Sequence, residues 1–179
     1  MDDMDDFDKY LASLKVKLEQ TGQKEPKFLL LTCVDLRYPG LIHERLEGFE
    51  RPKPSEPGYF HKKYDHVSLA GAALAGVIDF PPHPKPEWAD TVIQHVALCI
   101  KLHNVCGVVV LEHRDCGAYK EFVLLREGAT ADEEKQAHQD QVDRSRVKLK
   151  PLFPKLFVDS FLLDAERGHD KRFKFLQLS

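Results

Sequence analysis

Two short runs, Phe28 to Thr32 and Val105 to Leu111, are apolar along almost their whole length, and no other feature of the chain restricts its fold as much. A strand with one wet face alternates polar and apolar residues. A run that does not alternate is buried on both faces, as in a parallel sheet covered by helices on each side. The rest of the pattern supplies those helices. Phe7, Leu11, Leu14 and Leu18 recur at helical spacing before the Gly22 to Pro26 breaker, and Pro39 opens a short helix through Leu46 and Phe49. Val92, Val96, Cys99, Ile100 and His103 mark one face of a third helix, and Ala118 to Leu125 and Ala131 to Lys148 predict two more. A further strand is expected at Tyr64 to Leu69. Two last strands, Leu156 to Leu163 and Arg172 to Leu178, flank Gly168 as a hairpin at the sheet edge. The expectation is an α/β fold: a central, mostly parallel sheet with an antiparallel edge, flanked by helices.

At 179 residues the chain has the size of one domain, with residues 1–22 as an N-terminal helical arm. Arg51 to Gly58 reads as an irregular loop, Pro81 to Pro86 as a stiff connection, and Ala70 to Gly76 as a small-residue segment where backbones approach closely. Lys and Arg number 26 against 29 Asp and Glu, a formal net charge of −3 that gives no general attraction to nucleic acid or an anionic membrane. The acidic start, Met1 to Asp8, lacks the charge pattern of a secretory signal, and no apolar run reaches membrane-spanning length, so a cytoplasmic location is expected. Four cysteines are too few for a disulfide framework in a chain of this size and read as thiols, core residues or metal ligands.

Both buried runs end in polar clusters. The first continues as Cys33-Val34-Asp35-Leu36-Arg37, which places a thiol, a carboxylate and a cation on one side of an extended segment. The second continues as Glu112-His113-Arg114-Asp115-Cys116-Gly117, offering an imidazole and a second thiol in a turn entering a helix. Active groups of open α/β sheets collect beyond the carboxyl ends of strands. Cys33, His113 and Cys116 suit tetrahedral zinc, with water or Asp35 at the fourth position. Cys106 sits at the start of its run, roughly 20 Å from His113 at 3.3 Å per residue, and Cys99 lies on a helical stripe as a core residue. His66, on the Tyr64, His66, Ser68 face, reads as a hydrogen-bonded structural histidine, with proton relay as its alternative. His43, His61, His83, His95, His103, His138 and His169 show no comparable cluster, and Asp132 to Arg146 reads as a solvated helical face.

The pattern Cys-x-Asp-x-Arg followed by His-x-x-Cys, carried by Cys33, Asp35, Arg37, His113 and Cys116 and followed by Gly117, resembles the β-class carbonic anhydrases. The resemblance implies zinc-dependent reversible hydration of carbon dioxide to bicarbonate by zinc-bound hydroxide, with Cys33, His113 and Cys116 as ligands. It implies that Arg37 holds Asp35 away from the metal, that the N-terminal helix is a dimerisation arm, and that the protein is a homodimer or a multiple of dimers. Where many members of that family have Arg-Asn-Ala-Gly-Asn, this chain has Ser68-Leu69-Ala70-Gly71-Ala72. That change motivates two alternatives: hydrolysis of carbonyl sulfide or carbon disulfide at the same zinc, and a catalytically silent, zinc-stabilised interaction protein.

Overall fold

The computed structural model describes residues 6–35, 37–77, 86–122, 125–165 and 173–178. Its centre is a five-stranded sheet of order β2-β1-β3-β4-β5, formed by β1 (Lys27–Thr32), β2 (Tyr64–Ser68), β3 (Val105–His113), β4 (Phe157–Ala165) and β5 (Phe173–Leu178). The first four are mutually parallel and β5 closes the edge antiparallel to β4. The α/β architecture expected from the sequence is the one observed. Positions 81–85 of the stiff connection, and Gly168, lie outside the described residues.

Alternation through β1 and β3 explains their unbroken apolar character. Phe28, Leu30, Val109 and Leu111 enter one core with α1 (Asp6–Gln20) and α2 (Pro39–Gly48). Leu29, Leu31, Val108 and Val110 enter another, beneath α3 (Pro86–His103), α5 (Ala131–Leu152) and the 3-10 helix Ala72–Gly76. Each strand therefore buries both faces. Gly107 has a packing reason: a Cβ there would stand 2.1 Å from the Phe157 ring of the neighbouring strand.

The four stripe residues of α1 are 0–3% exposed, packed on their own chain, and Phe7 stacks on Phe175 of β5 with ring centroids 3.9 Å apart. Three local expectations need correction. The helix after β3, α4 (Gly117–Glu121), is shorter than the Ala118 to Leu125 pattern. α5 runs past Lys148 through Pro151 to Leu152. Its charged sequence is not simply a solvated face, because His138, Gln141 and Ser145, at i, i+3 and i+7, are buried. Among the described residues no helix is long and apolar enough to cross a membrane.

The crossover after β1 leads outward to β2, and the one after β3 leads the other way to β4, with α2 on one face and α5 on the opposite one. The connections diverge beyond the carboxyl ends of β1 and β3, leaving the crevice in which open α/β sheets place their ligands.

Candidate metal centre

Thr32 pairs with Leu111, so Cys33, one step past β1, and His113, the last residue of β3, emerge side by side into that crevice. His113 is on the strand rather than in the turn expected for it, and it pairs with Leu163 of β4. Its imidazole is thereby carried by the rigid sheet. The chain then turns through Asp115, at a left-handed φ of 59°, and brings Cys116 to the N-cap of α4. Glu134 of α5 fastens this turn, accepting the Asp115 N–H at 2.5 Å and pairing with Arg114 at 3.2 Å.

One ligating atom from each of Cys33, His113 and Cys116 lies within 4.8 Å of the others, and all three residues are buried. The two sulfurs are 3.9 Å apart, far beyond the about 2.0 Å of a disulfide. Two thiolates bound tetrahedrally at about 2.3 Å would stand about 3.8 Å apart. The His113 Nδ1–H donates to the Arg114 carbonyl at 2.8 Å, which assigns the lone pair to Nε2. Nε2 is buried without a hydrogen-bond partner. An orphaned imidazole nitrogen facing two thiols is the donor set of a soft divalent cation.

The protonation pattern fits the same group. A hydrogen bond from Cys116 lowers the Cys33 pKa against the opposing effect of burial, with His113 and the Gly71 N–H adding to it. The Cys33 thiolate and burial together raise that of Cys116. One thiolate forms readily and the second is resisted, because it would put two like charges side by side out of water. A divalent cation between them removes that resistance. For His113, burial disfavours the charged form, while the Cys33 thiolate and Arg114 carbonyl outweigh it and raise the pKa.

Asp35 stands at the rim. Its carboxylate accepts from Arg37 Nε at 2.9 and 3.0 Å, from Arg37 Nη2 at 2.6 Å and from the Arg37 backbone N–H at 3.0 Å. This grip lowers its pKa to about 2. Oδ2 lies 3.8 Å from His113 Nε2, so the carboxylate faces the cluster while bonded to the arginine. The Arg37 guanidinium lies over the Tyr38 ring at 5.2 Å, and that ring is 5.0 Å from the imidazole of His113. Gly71, at φ 72°, donates its N–H to Cys33 Sγ at 3.4 Å, which gives the small-residue segment its place against the site.

No family model matches the chain. An uncharacterized protein of Rickettsia bellii is 32% identical over 157 residues, covering 87% of this chain and 88% of that protein. An uncharacterized protein of Rickettsia conorii is 33% identical over 153 residues, covering 83% and 75%. The chain belongs to the family of these two proteins. Among solved structures, a β-carbonic anhydrase of Sordaria macrospora aligns over 95% of this chain and 94% of its own at 14% identity, with a TM-score of 0.47. A carbon disulfide hydrolase aligns over 86% and 85% at 17% identity, with a TM-score of 0.43.

The remaining cysteines stay outside the cluster. Cys106 donates to the Lys27 carbonyl at 3.2 Å at the far end of the strands, and burial, with a bond to Asp65, pushes Cys99 up to about 11. Sequence reasoning missed several polar partners. His43 is not isolated: it joins His66 at 3.1 Å and Tyr64 at 2.6 Å. His138 joins Glu112 at 3.2 Å, both side chains fully buried, and Glu112 also accepts the Ala73 N–H at 2.8 Å. A signal for the first cluster was present, since His43 and Glu47 are one turn apart on α2 and Tyr64 and His66 alternate on β2.

Proposed function

We propose that the protein catalyses the reversible hydration of carbon dioxide to bicarbonate with zinc held by Cys33, His113 and Cys116, assisted by Asp35 and Arg37. The observation that carries this reading is the unpartnered His113 Nε2, directed at two buried thiols and 3.8 Å from a carboxylate kept in place by an arginine. When bound there, zinc supplies the Lewis acidity that makes water a nucleophile near pH 7. The chain's own residues do the rest. Arg37, with three side-chain contacts to the Asp35 carboxylate, keeps that group a hydrogen-bond acceptor and withholds it from the metal. Asp35, ionised above a pKa of about 2, can then take a hydrogen bond from the attacking water and fix its orientation toward an electrophilic carbon.

Tyr38, whose ring is 5.0 Å from the His113 imidazole, also lines a small cleft with Phe7, Leu41, Ile42, Arg45, Leu163 and Phe175. The Tyr38 ring beside His113 suits an uncharged apolar molecule such as carbon dioxide, and carbon disulfide and carbonyl sulfide share that character. A homodimer or a multiple of dimers, and a cytoplasmic location, belong to the same reading; light scattering and cell fractionation test them.

Metal analysis of purified protein is expected to give about one zinc per chain. Cys116→Ser should lose most of it, and Cys106→Ser, at the opposite end of the sheet, should lose none. Stopped-flow hydration by the zinc-loaded protein, run beside sulfide-release assays on the two sulfur compounds, decides the substrate. Equal zinc retention in wild type and Cys116→Ser would defeat the ligand assignment.

A further inference from the structure

Hydration of carbon dioxide yields one proton for every bicarbonate, and that proton has to leave a buried site. We propose that Thr32, His66, His43, Tyr64 and Glu47 form a proton path from the neighbourhood of the metal centre to solvent, an inference that rests on the hydration reading above. Thr32 Oγ1 lies 2.7 Å from His66 Nε2, and His66 Nδ1 lies 3.1 Å from His43 Nε2. His43 Nδ1 lies 2.6 Å from the Tyr64 hydroxyl, which donates to Glu47 Oε1 at 3.2 Å. The chain of bonds is unbroken. It begins at a residue 3% exposed and ends at a carboxylate 31% exposed, which His61 meets at 2.7 Å on its outer side.

The inner end is placed for the task. Thr32 immediately precedes Cys33, and its hydroxyl is 3.3 Å from Ser68 Oγ, which donates to the Cys33 carbonyl at 2.9 Å. Thr32 pairs with Leu111, and side chains alternate along strands, so His113, two residues on from Leu111, shares the face of Thr32 about 7 Å further along. Ser68 is exposed, so water reaches this corner of the crevice.

The chemistry of the outer end fixes the direction of every donor. A carboxylate only accepts, so the Tyr64 O–H points to Glu47, and the Tyr64 oxygen accepts from the His43 Nδ1–H. A neutral His43 then carries its lone pair on Nε2 and accepts from the His66 Nδ1–H. His66 Nε2 in turn accepts from the Thr32 O–H. All four protons point outward. When the Thr32 oxygen gains a proton from water at the site, its own moves to His66 Nε2. The Nδ1 proton of His66 moves to His43 Nε2, that of His43 to the Tyr64 oxygen, and that of Tyr64 to Glu47, which releases it to solvent. One O–H or N–H bond forms for each that breaks. Both rings finish as Nε2–H tautomers, and each returns to the Nδ1–H form by giving up that proton to water and taking one from water at Nδ1.

The other ionisable neighbours do not divert the path. Asp65, between Tyr64 and His66 on β2, projects to the opposite face and holds His103 at 2.7 Å. Burial and the nearby His43 lower the pKa of His66, which keeps it an acceptor near neutral pH. Burial and Glu47 push Tyr64 up to about 12, so it acts as a hydroxyl that gains one proton as it gives another.

The test compares wild type with Tyr64→Phe, which removes one hydroxyl, and Glu47→Gln, which retains an acceptor for Tyr64 but cannot take up the proton in the same way. In dilute buffer, steady-state hydration by both variants is expected to fall about a hundredfold, the lower end of what a lost proton-transfer group costs, and concentrated imidazole buffer is expected to restore it. A fall that imidazole does not restore, or no fall at all, overturns the path. A readout independent of turnover is nitrogen NMR of the two imidazoles. Each ring is expected to show two exchanging tautomers, with Tyr64→Phe shifting the tautomer balance of His66, two links away along the path. Two rings each locked in a single tautomer would overturn the path, whereas absent hydration activity in wild type with exchanging tautomers would overturn only the reading on which it rests.

Discussion

The two nitrogens of His113 have separate tasks: Nδ1 holds the ring to the Arg114 carbonyl, and Nε2 is left bare toward two sulfurs. Asp35 is fixed in a comparable way, with Arg37 on one side of its carboxylate and His113 3.8 Å away on the other. A carboxylate with its pKa depressed to about 2 stabilises the native state above its unfolded value of about 3.9, and that contribution is lost as pH falls through about 2. Arg37→Ala should therefore raise the Asp35 titration midpoint toward about 3.9, measured by carboxyl carbon NMR. It should also reduce hydration while leaving zinc content nearly unchanged, because no ligand is removed. An Asp35 midpoint that stays near its wild-type value would show that something other than the arginine holds it. At this scale the cluster of Cys33, His113 and Cys116 was legible because thiols and an imidazole at the ends of two adjacent buried strands are brought together by the sheet itself. The His43 to His66 contact was not, because it spans α2 and β2 and exists only once α2 lies across that face of the sheet.

Among the elements, β1 and β3 were legible for the reason that makes them central: both faces are buried, so polar residues are excluded until the strand ends. α5 shows the opposite case. Its high charge hides a buried polar stripe, and the seven-residue span from His138 to Ser145 gives no sign of which partners wait below. The structure supplies them. Glu112, next to His113 on β3, accepts from Ala73 and meets His138, and Ser145 donates to the Ala73 carbonyl at 3.0 Å. Helix α5, the 3-10 helix and the strand carrying His113 are thus tied by buried polar contacts rather than by apolar packing alone. His138→Ala would leave the Glu112 carboxylate buried with one oxygen unpaired, a change that costs about 3–5 kcal/mol. Urea denaturation of the variant should show that loss as a lower midpoint with an unchanged slope, and an unshifted midpoint would mean that the pair contributes nothing net.

On the scale of the whole molecule, the reversal of strand order between β1 and β3 creates the crevice, and the two polar clusters of the sequence fall at its walls because each directly follows its strand. Helix α1 bears on this arrangement from a distance. The sequence left two uses for its apolar stripe, a neighbouring subunit or its own sheet, and spacing alone does not distinguish them, since both bury the same residues. In the structure the stripe lies against its own chain, with Arg45 of α2 paired to Asp8 at 2.9 Å and Lys17 to Asp159 of β4 at 2.6 Å. Burying each of Phe7, Leu11, Leu14 and Leu18 contributes about 1.5–3 kcal/mol, and their sum approaches the net stability of an ordinary domain, about 5–15 kcal/mol. A chain starting at Gly22 should consequently lose most of its cooperative melting transition and bind an apolar dye, because Phe161, Leu163 and Phe175 are laid open beside the cleft. A helix that served only as an exchange arm would give another result: the shortened chain would melt close to the full-length protein and differ from it in subunit number alone. Thermal melting and light scattering on the same two samples separate these outcomes, and an intact melt for the shortened chain would show that the packing of α1 on its own sheet is dispensable.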